Sequence, residues 1–202
     1  MGERCIFRYT AHMASRAQVP PRIEVDEFLR LYGDRDDGRW ELDDGIPVMM
    51  AGATRRHGQV SGSIFVAVRA RLGASGCEAF FDMFVSTGIR KLRVPDVAVF
   101  CDPRDADDDA RVLRFPKVIF EVLSPSTEQD DKRTKLFEYQ RLESVDTIVL
   151  VDNTTRELHV FERLGLAEWR NRTLPRGAML ELHDPAMAIP AEEIFGVEPS
   201  AA

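Results

Sequence analysis

Two acidic residues stand inside apolar sequence. Asp96 lies in Val94-Pro-Asp-Val-Ala-Val-Phe100 and Glu121 in Val118-Ile-Phe-Glu-Val-Leu123. An ionised carboxylate taken out of water without a partner costs several kcal/mol, so each acid needs a cation or strong donors beside it. Taken singly, either reads more readily as a strand-end residue facing solvent or paired with an arginine. Two of them on neighbouring strands point instead to a shared cation. Carboxylate oxygens are the ligands that Mg²⁺ prefers, with Mn²⁺ as a substitute, and such an ion keeps waters that can attack phosphorus.

Lys135 falls on the helix expected after Glu121, with Asp131 and Tyr139 one turn to either side. A lysine beside a metal centre can polarise water and neutralise charge developing on a phosphoryl oxygen. The same spacing also suits an exposed Asp131–Lys135 pair. Glu41 is a candidate further ligand or orienting acid, and His57 a candidate contact to phosphate or water. In isolation, Glu41 reads more readily as a solvated strand residue and His57 as a capping or surface histidine.

Charge is the main compositional argument against a nucleic-acid partner, because the 202 residues carry a formal net charge of -7 and phosphate binding is driven by Lys and Arg. Its distribution matters more. Acid is concentrated in Asp102-Pro-Arg-Asp-Ala-Asp-Asp-Asp109, while bases gather at Arg55-Arg56-His57, Arg90-Lys91-Leu92-Arg93 and Lys132-Arg133-Thr134-Lys135. These clusters flank the candidate acids, where an electrostatic footprint is useful, and they make Arg56 and Lys132, with His57, candidate phosphate-binding groups.

The elements that must position these residues follow from periodicity and turn chemistry. Residues 1–21 show no period and end at Pro20-Pro21, reading as a flexible N-terminal extension before a single domain over 22–198. Val25 to Leu31 reads as a short helix, and Asp43-Asp44-Gly45 as a hairpin turn with Glu41 on its first strand. Val60, Ile64, Val68 and Leu72 recur every four residues and end at Gly73, which defines a helix. Glu78 to Ile89, Val94 to Phe100 and Pro116 to Leu123 read as strands, the last two as buried neighbours. Thr127 and Asp130 resemble a capping box opening a helix that runs to about Leu142. Ile148 to Val151 and Leu158 to Phe161 form a further strand pair, followed by short strands around Ala167 to Arg172 and Met179 to Leu182 and a helical turn over Ala191 to Phe195.

No apolar run reaches the roughly 18 residues needed to cross a bilayer and the first residues lack a secretory block, so no membrane association and a cytoplasmic location are expected. Cys5, Cys77 and Cys101 are odd in number and scattered, and are expected as reduced thiols.

At this point the order of motifs becomes recognisable. Trp40-Glu-Leu-Asp-Asp-Gly45, Met50-Ala-Gly-Ala-Thr-Arg-Arg-His57, Val94-Pro-Asp-Val97, Phe120-Glu-Val-Leu-Ser-Pro-Ser-Thr127, Asp131-Lys-Arg-Thr-Lys-Leu-Phe-Glu-Tyr139 and Val149-Leu-Val-Asp152 resemble the Uma-two family. That family is classed among restriction-endonuclease-like proteins of the PD-(D/E)XK superfamily. The resemblance implies an α/β fold with a mixed central β-sheet flanked by α-helices. It also implies Asp96, Glu121 and the backbone carbonyl of Val122 as metal ligands, DNA as partner and a homodimer as the assembly. One departure stands out: the lysine position of the E-x-K motif is Leu123, which cannot activate water. Lys135 is the natural substitute and Lys132 the fallback. The expected activity is Mg²⁺-dependent hydrolysis of phosphodiester bonds in DNA. The alternatives are a catalytically inactive relative acting as a nucleic-acid-binding or protein-interaction module, and, more weakly, a carboxylate-pair glycosidase.

Overall fold

The computed structural model describes residues 21–123 and 129–196, with the side chains of 129–132 outside the description. Helix α1 (Val25–Tyr32) packs Phe28 against Leu42 and Leu92. The Asp-Gly pair turns the expected hairpin: Asp44 and Gly45 take φ of 47° and 83°, the positive values that a two-residue turn demands. It joins β1 (Trp40–Asp43) to β2 (Ile46–Met49). Helix α2 (Arg55–Leu72) buries Val60, Ile64, Ala67, Val68 and Leu72 and ends at Gly73 with φ 51°. Each fully buried aliphatic side chain on that face contributes roughly 2 kcal/mol by leaving water.

The run 78–89, expected as one strand, is two. Strand β3 (Glu78–Phe80) ends where Asp82 turns the chain at φ 61°, and β4 (Phe84–Gly88) follows. The run 94–100 also begins later than expected. Strand β5 (Lys91–Arg93) stops before Pro95, which has no N–H for a ladder, and β6 (Val97–Phe100) starts after Asp96. Asp96 therefore sits on the link between strands rather than inside one.

Beyond the acidic loop come β7 (Val112–Leu113), β8 (Pro116–Leu123) and α3 (Gln129–Gln140). The expected Thr127–Asp130 cap lies outside the described residues. Strands β9 (Thr147–Asp152), β10 (Glu157–Arg163), β11 (Trp169–Leu174), β12 (Met179–His183) and β13 (Ala186–Pro190) lead to α4 (Ala191–Phe195).

A mixed six-stranded sheet in the order β11-β10-β9-β8-β6-β3 forms the centre. Strands β8 and β9 run parallel, joined across α3, while β6 and β8, the neighbours that the sequence leads one to expect, pair antiparallel. Side-chain alternation assigns its faces: Val118, Phe120 and Val122 join the α2 core, whereas Ile119 packs with Tyr139 of α3. The central sheet is thus covered by α2 on one face and α3 on the other. In addition, β2-β1-β5-β4-β7 form a second, five-stranded sheet, and β12 pairs with β13.

Cys77 and Cys101 are joined in a disulfide, correcting the expectation of reduced thiols. The cause is register: Glu78 pairs with Phe100 in the β3–β6 ladder, which sets the two flanking cysteines opposite each other. Among the described residues no helix is long and apolar enough to cross a membrane.

Candidate active site

The chain passes from the five-stranded sheet to the central one through Val94, Pro95 and Asp96, and the candidate residues gather at this crossing. Glu41 comes from β1, Asp96 from the link, Glu121 from near the C-terminal end of β8, His57 from the first turn of α2 and Lys135 from α3. All five line one cleft of about 310 Å³, together with Val122, Arg39 and the backbone-rich stretch after β2.

Asp96 is fixed from two sides. Its Oδ2 accepts a hydrogen bond from the Val122 N–H at 2.8 Å and lies 3.3 Å from His57 Nε2. The register explains the first contact, because the β6–β8 ladder begins at Val97 opposite Phe120 and leaves the next N–H along that edge without a strand partner. One residue's N–H and C=O point to the same edge of an extended strand, so the Val122 carbonyl faces the side on which Asp96 stands. His57 is oriented by its own helix end: Thr54 caps its N–H at 3.2 Å. The hydrogen bond to Asp96 raises the His57 pKa, against an opposing effect of burial.

Glu121 lies on the α3 face of the sheet and accepts a hydrogen bond from the Tyr139 hydroxyl at 2.6 Å. Burial is the largest influence on it and pushes its pKa up to about 7. The Lys135 charge lowers it, Asp96 raises it and the Tyr139 bond lowers it again. Tyr139 is itself raised well above the ordinary phenol value, first by burial and then by the Glu121 charge.

Lys135 reaches this group. Its Nζ donates to Glu41 Oε1 at 2.8 Å, an oxygen that also accepts from the Val94 N–H at 3.0 Å. Glu41 is 3% exposed, so the solvated strand residue that its sequence context suggested is instead buried in a charge network. Arg93, 2% exposed, is the centre of that network. It donates to Glu138 at 2.7 and 2.8 Å, to Asp43 at 3.0 Å and to Glu41 at 3.3 Å. Burial alone would raise Glu138, but the hydrogen bonds from Arg93 and Lys91 outweigh it and lower its pKa.

Two expectations about the basic clusters change. Arg93 and Lys91 are not a surface footprint: alternation turns both toward Glu138 and Asp43, while Leu92 between them enters the α1 core. Arg56 is directed away from the cleft, its Nε donating to Asn153 at 3.0 Å beyond the end of β9. The Lys132 side chain lies outside the described residues.

Tyr139, Arg93 and Glu138 were not singled out by chemistry in the sequence. The signal for Tyr139 was its i+4 spacing from Lys135. For Arg93 and Glu138 nothing in the sequence distinguishes them from surface charges.

The oxygen donors of Asp96, Glu121 and Val122 are of the hard type that Mg²⁺ accepts. Glu121 supports the fit, since a carboxyl pushed up by burial beside other acids gains from a divalent cation. Among the described residues no group of three or more His, Cys, Asp or Glu side chains is gathered at metal-binding spacing. The oxygen atoms that Asp96, Glu121 and Val122 offer to this cleft are thus those of two carboxylates and of the Val122 main chain.

Fold and site together define the class: an α/β protein of nuclease-like fold, its mixed central sheet flanked by helices, with a carboxylate and lysine cleft where two sheets meet. Residues 25–189 match the model of the Uma2 family, described as "Putative restriction endonuclease", and the chain belongs to that family. It is 25% identical over 177 residues to "Uncharacterized protein slr1290" of Synechocystis sp. (strain ATCC 27184 / PCC 6803 / Kazusa), covering 87% of this chain and 92% of that protein. Its fold resembles the crystal structure of "a putative nuclease belonging to DUF820" from Anabaena variabilis ATCC 29413, with a TM-score of 0.72 and 18% identity over 86% of this chain and 97% of that one.

Proposed function

We propose that the protein is a metal-dependent endonuclease that hydrolyses phosphodiester bonds in DNA. The observation that carries this reading is the meeting of Lys135 with Glu41 and Glu121 in one cleft, although the motif position after Glu121 holds Leu123. Asp96, Glu121 and the Val122 carbonyl would hold Mg²⁺, with Mn²⁺ as a substitute. The ion would supply Lewis-acid polarisation of the phosphate and a more acidic water.

The chain's own groups do the rest. Glu41 holds the Lys135 ammonium in place, where it can offset negative charge developing on a phosphoryl oxygen. His57, whose Nε2 meets Asp96 while its Nδ1 faces Ser61 Oγ at 3.5 Å, keeps that carboxylate turned into the cleft. Tyr139 fixes one oxygen of Glu121. A homodimer is part of the proposal, because a duplex offers two strands to a symmetric pair of clefts.

The test is cleavage of plasmid and single-stranded DNA with Mg²⁺ or Mn²⁺ by wild type, Asp96→Ala, Glu121→Ala and Lys135→Ala. Wild type is expected to cut and the three variants to lose most of the rate. Equal cutting by Asp96→Ala or Glu121→Ala would overturn the site. Binding of DNA by wild type without cutting would favour the inactive relative.

A further inference from the structure

Beside the carboxylate cleft lies a second concavity of about 370 Å³, and the two share Arg39, Ala53, His57 and Asp96 along a common wall. Its chemistry is different. The floor is Gly58, Ser61 and Gly62 of α2, and the sides are Phe65, Val66 and Phe81. These α2 residues recur at spacings of three and four on the face turned away from Val60, Ile64 and Val68, which enter the core.

Two apolar side chains here remain in contact with water: Phe81 is 57% and Val66 66% exposed. Phe81 is nevertheless held in position, because its ring meets Phe65 edge-on at 4.9 Å and 77°. The glycines are equally telling. Among the described residues, a Cβ at Gly58 or Gly62 would meet nothing within 4 Å, and neither glycine has a positive φ. Neither packing among the described residues nor backbone conformation calls for them, and glycine is a poor helix former. What their small size leaves is room for something from outside.

We propose that this groove is a nucleobase subsite, which stacks one unpaired base of the substrate strand against Phe81, over the glycine floor, when a neighbouring phosphate lies at Asp96 and Glu121. The proposal rests on the phosphodiesterase reading above. The groove's size is in the range of about 300–1,000 Å³ that accommodates small organic groups. Aromatic side chains next to a backbone track are what single-stranded nucleic acid binds, since every base has a π-face to stack. At the rim, the Arg39–Asp82 pair, 2.6 Å apart, offers both donors and an acceptor to a base edge. A base paired in a duplex cannot enter such a groove without leaving its stack, so the subsite favours single-stranded or frayed DNA.

The test measures binding of a labelled single-stranded oligothymidylate, and of an abasic strand of equal length, in Ca²⁺ by fluorescence anisotropy. Phe81→Ala and Gly62→Leu are compared with wild type, with thermal midpoints as the folding control and cleavage in Mg²⁺ run in parallel. Each variant is expected to weaken oligothymidylate binding about tenfold and to leave abasic binding unchanged. Equal affinity of wild type and both variants for oligothymidylate overturns the subsite, as does no binding by wild type. A changed oligomeric state of Gly62→Leu with unaltered affinity also overturns it, assigning the groove to a second copy. If wild type cuts and the variants bind and cut like it, the subsite is wrong and the hydrolytic reading stands. If wild type fails to cut while the variants lose base-dependent binding, the hydrolytic reading falls and the subsite stands.

Discussion

The Lys135 ammonium and Glu41 Oε1 lie 2.8 Å apart, tying α3 to β1 across 94 positions of sequence. Lys135→Met is expected to lower DNA cleavage roughly 100-fold or more, the usual scale for removing one electrostatic stabiliser of a transition state. Glu41 keeps its bonds from Val94 and Arg93, so the fold should survive. Single-turnover kinetics and thermal denaturation check both halves. A variant that melts like wild type and cuts at the wild-type rate removes Lys135 from the chemistry.

What the sequence disclosed and what it hid divide along physical lines. Local signals worked where one residue type dictates a backbone conformation. The Asp-Gly pair made its hairpin, Gly73 ended α2, and the apolar runs of β8 and β9 became buried strands of the central sheet. Pro95 is also visible, yet its consequence, a break that frees Asp96 from the ladder, is hidden by the apolar residues on either side, which suggest a continuous strand. Long-range pairing is what local pattern does not contain. The Cys77–Cys101 disulfide follows from the β3–β6 register, and the burial of Glu41 follows from Arg93 arriving 52 residues later. The two acids were found because a carboxylate in an apolar run is anomalous on its own. Arg93 and Glu138 were not, because each looks like a surface charge until the two sheets meet.

Asp96→Asn should separate folding from metal binding. The amide oxygen can still accept the Val122 N–H, so the β6–β8 edge is kept, but the charge that would hold a divalent cation is lost. Thermal midpoints without metal are expected within a few degrees of wild type, and titration calorimetry with Mn²⁺ should show at least a tenfold loss of affinity. Unchanged Mn²⁺ affinity would remove Asp96 from the ligand set.

The raised pKa values of Glu121 and His57 give stability a definite slope with pH. A carboxyl whose folded value is about 7 against an ordinary 4.5 holds a proton that the unfolded chain has released. Its stabilising contribution is thus complete below about 4.5 and is lost as pH rises to 7. His57, raised above 6.5, acts in the same sense over a higher window. The metal-free protein is therefore expected to melt at progressively lower temperature from about pH 5 to pH 8, with Glu121→Gln flattening the lower part of that slope. Added Mg²⁺ should stabilise more at pH 8 than at pH 5.5, since the ion competes with the Glu121 proton. A flat profile for wild type contradicts the assignment.

Arg93 carries the largest structural prediction, because three acids depend on it. Glu41, Glu138 and Asp43 all accept from its guanidinium, and the first two are buried. Removing one partner from a buried ion pair leaves an uncompensated charge and costs about 3–5 kcal/mol. Lys135 still reaches Glu41, and Lys91 still reaches Glu138 and Asp43, so Arg93→Met should destabilise the fold by about 3 kcal/mol, the lower end of that range, at pH 7 in urea or thermal denaturation. Lysine is a poor substitute, having a single point charge where the planar fork now serves several carboxylates, so Arg93→Lys should recover only part of the loss. The double variant Arg93→Met, Glu138→Leu removes the donor together with its closest acceptor and should be more stable than Arg93→Met alone. If the double variant is instead as unstable as the sum of its parts, the Arg93–Glu138 contact contributes no coupling energy, and α3 is held to the second sheet by the bonds of Lys91 and Thr87 to Glu138 and of Lys135 to Glu41.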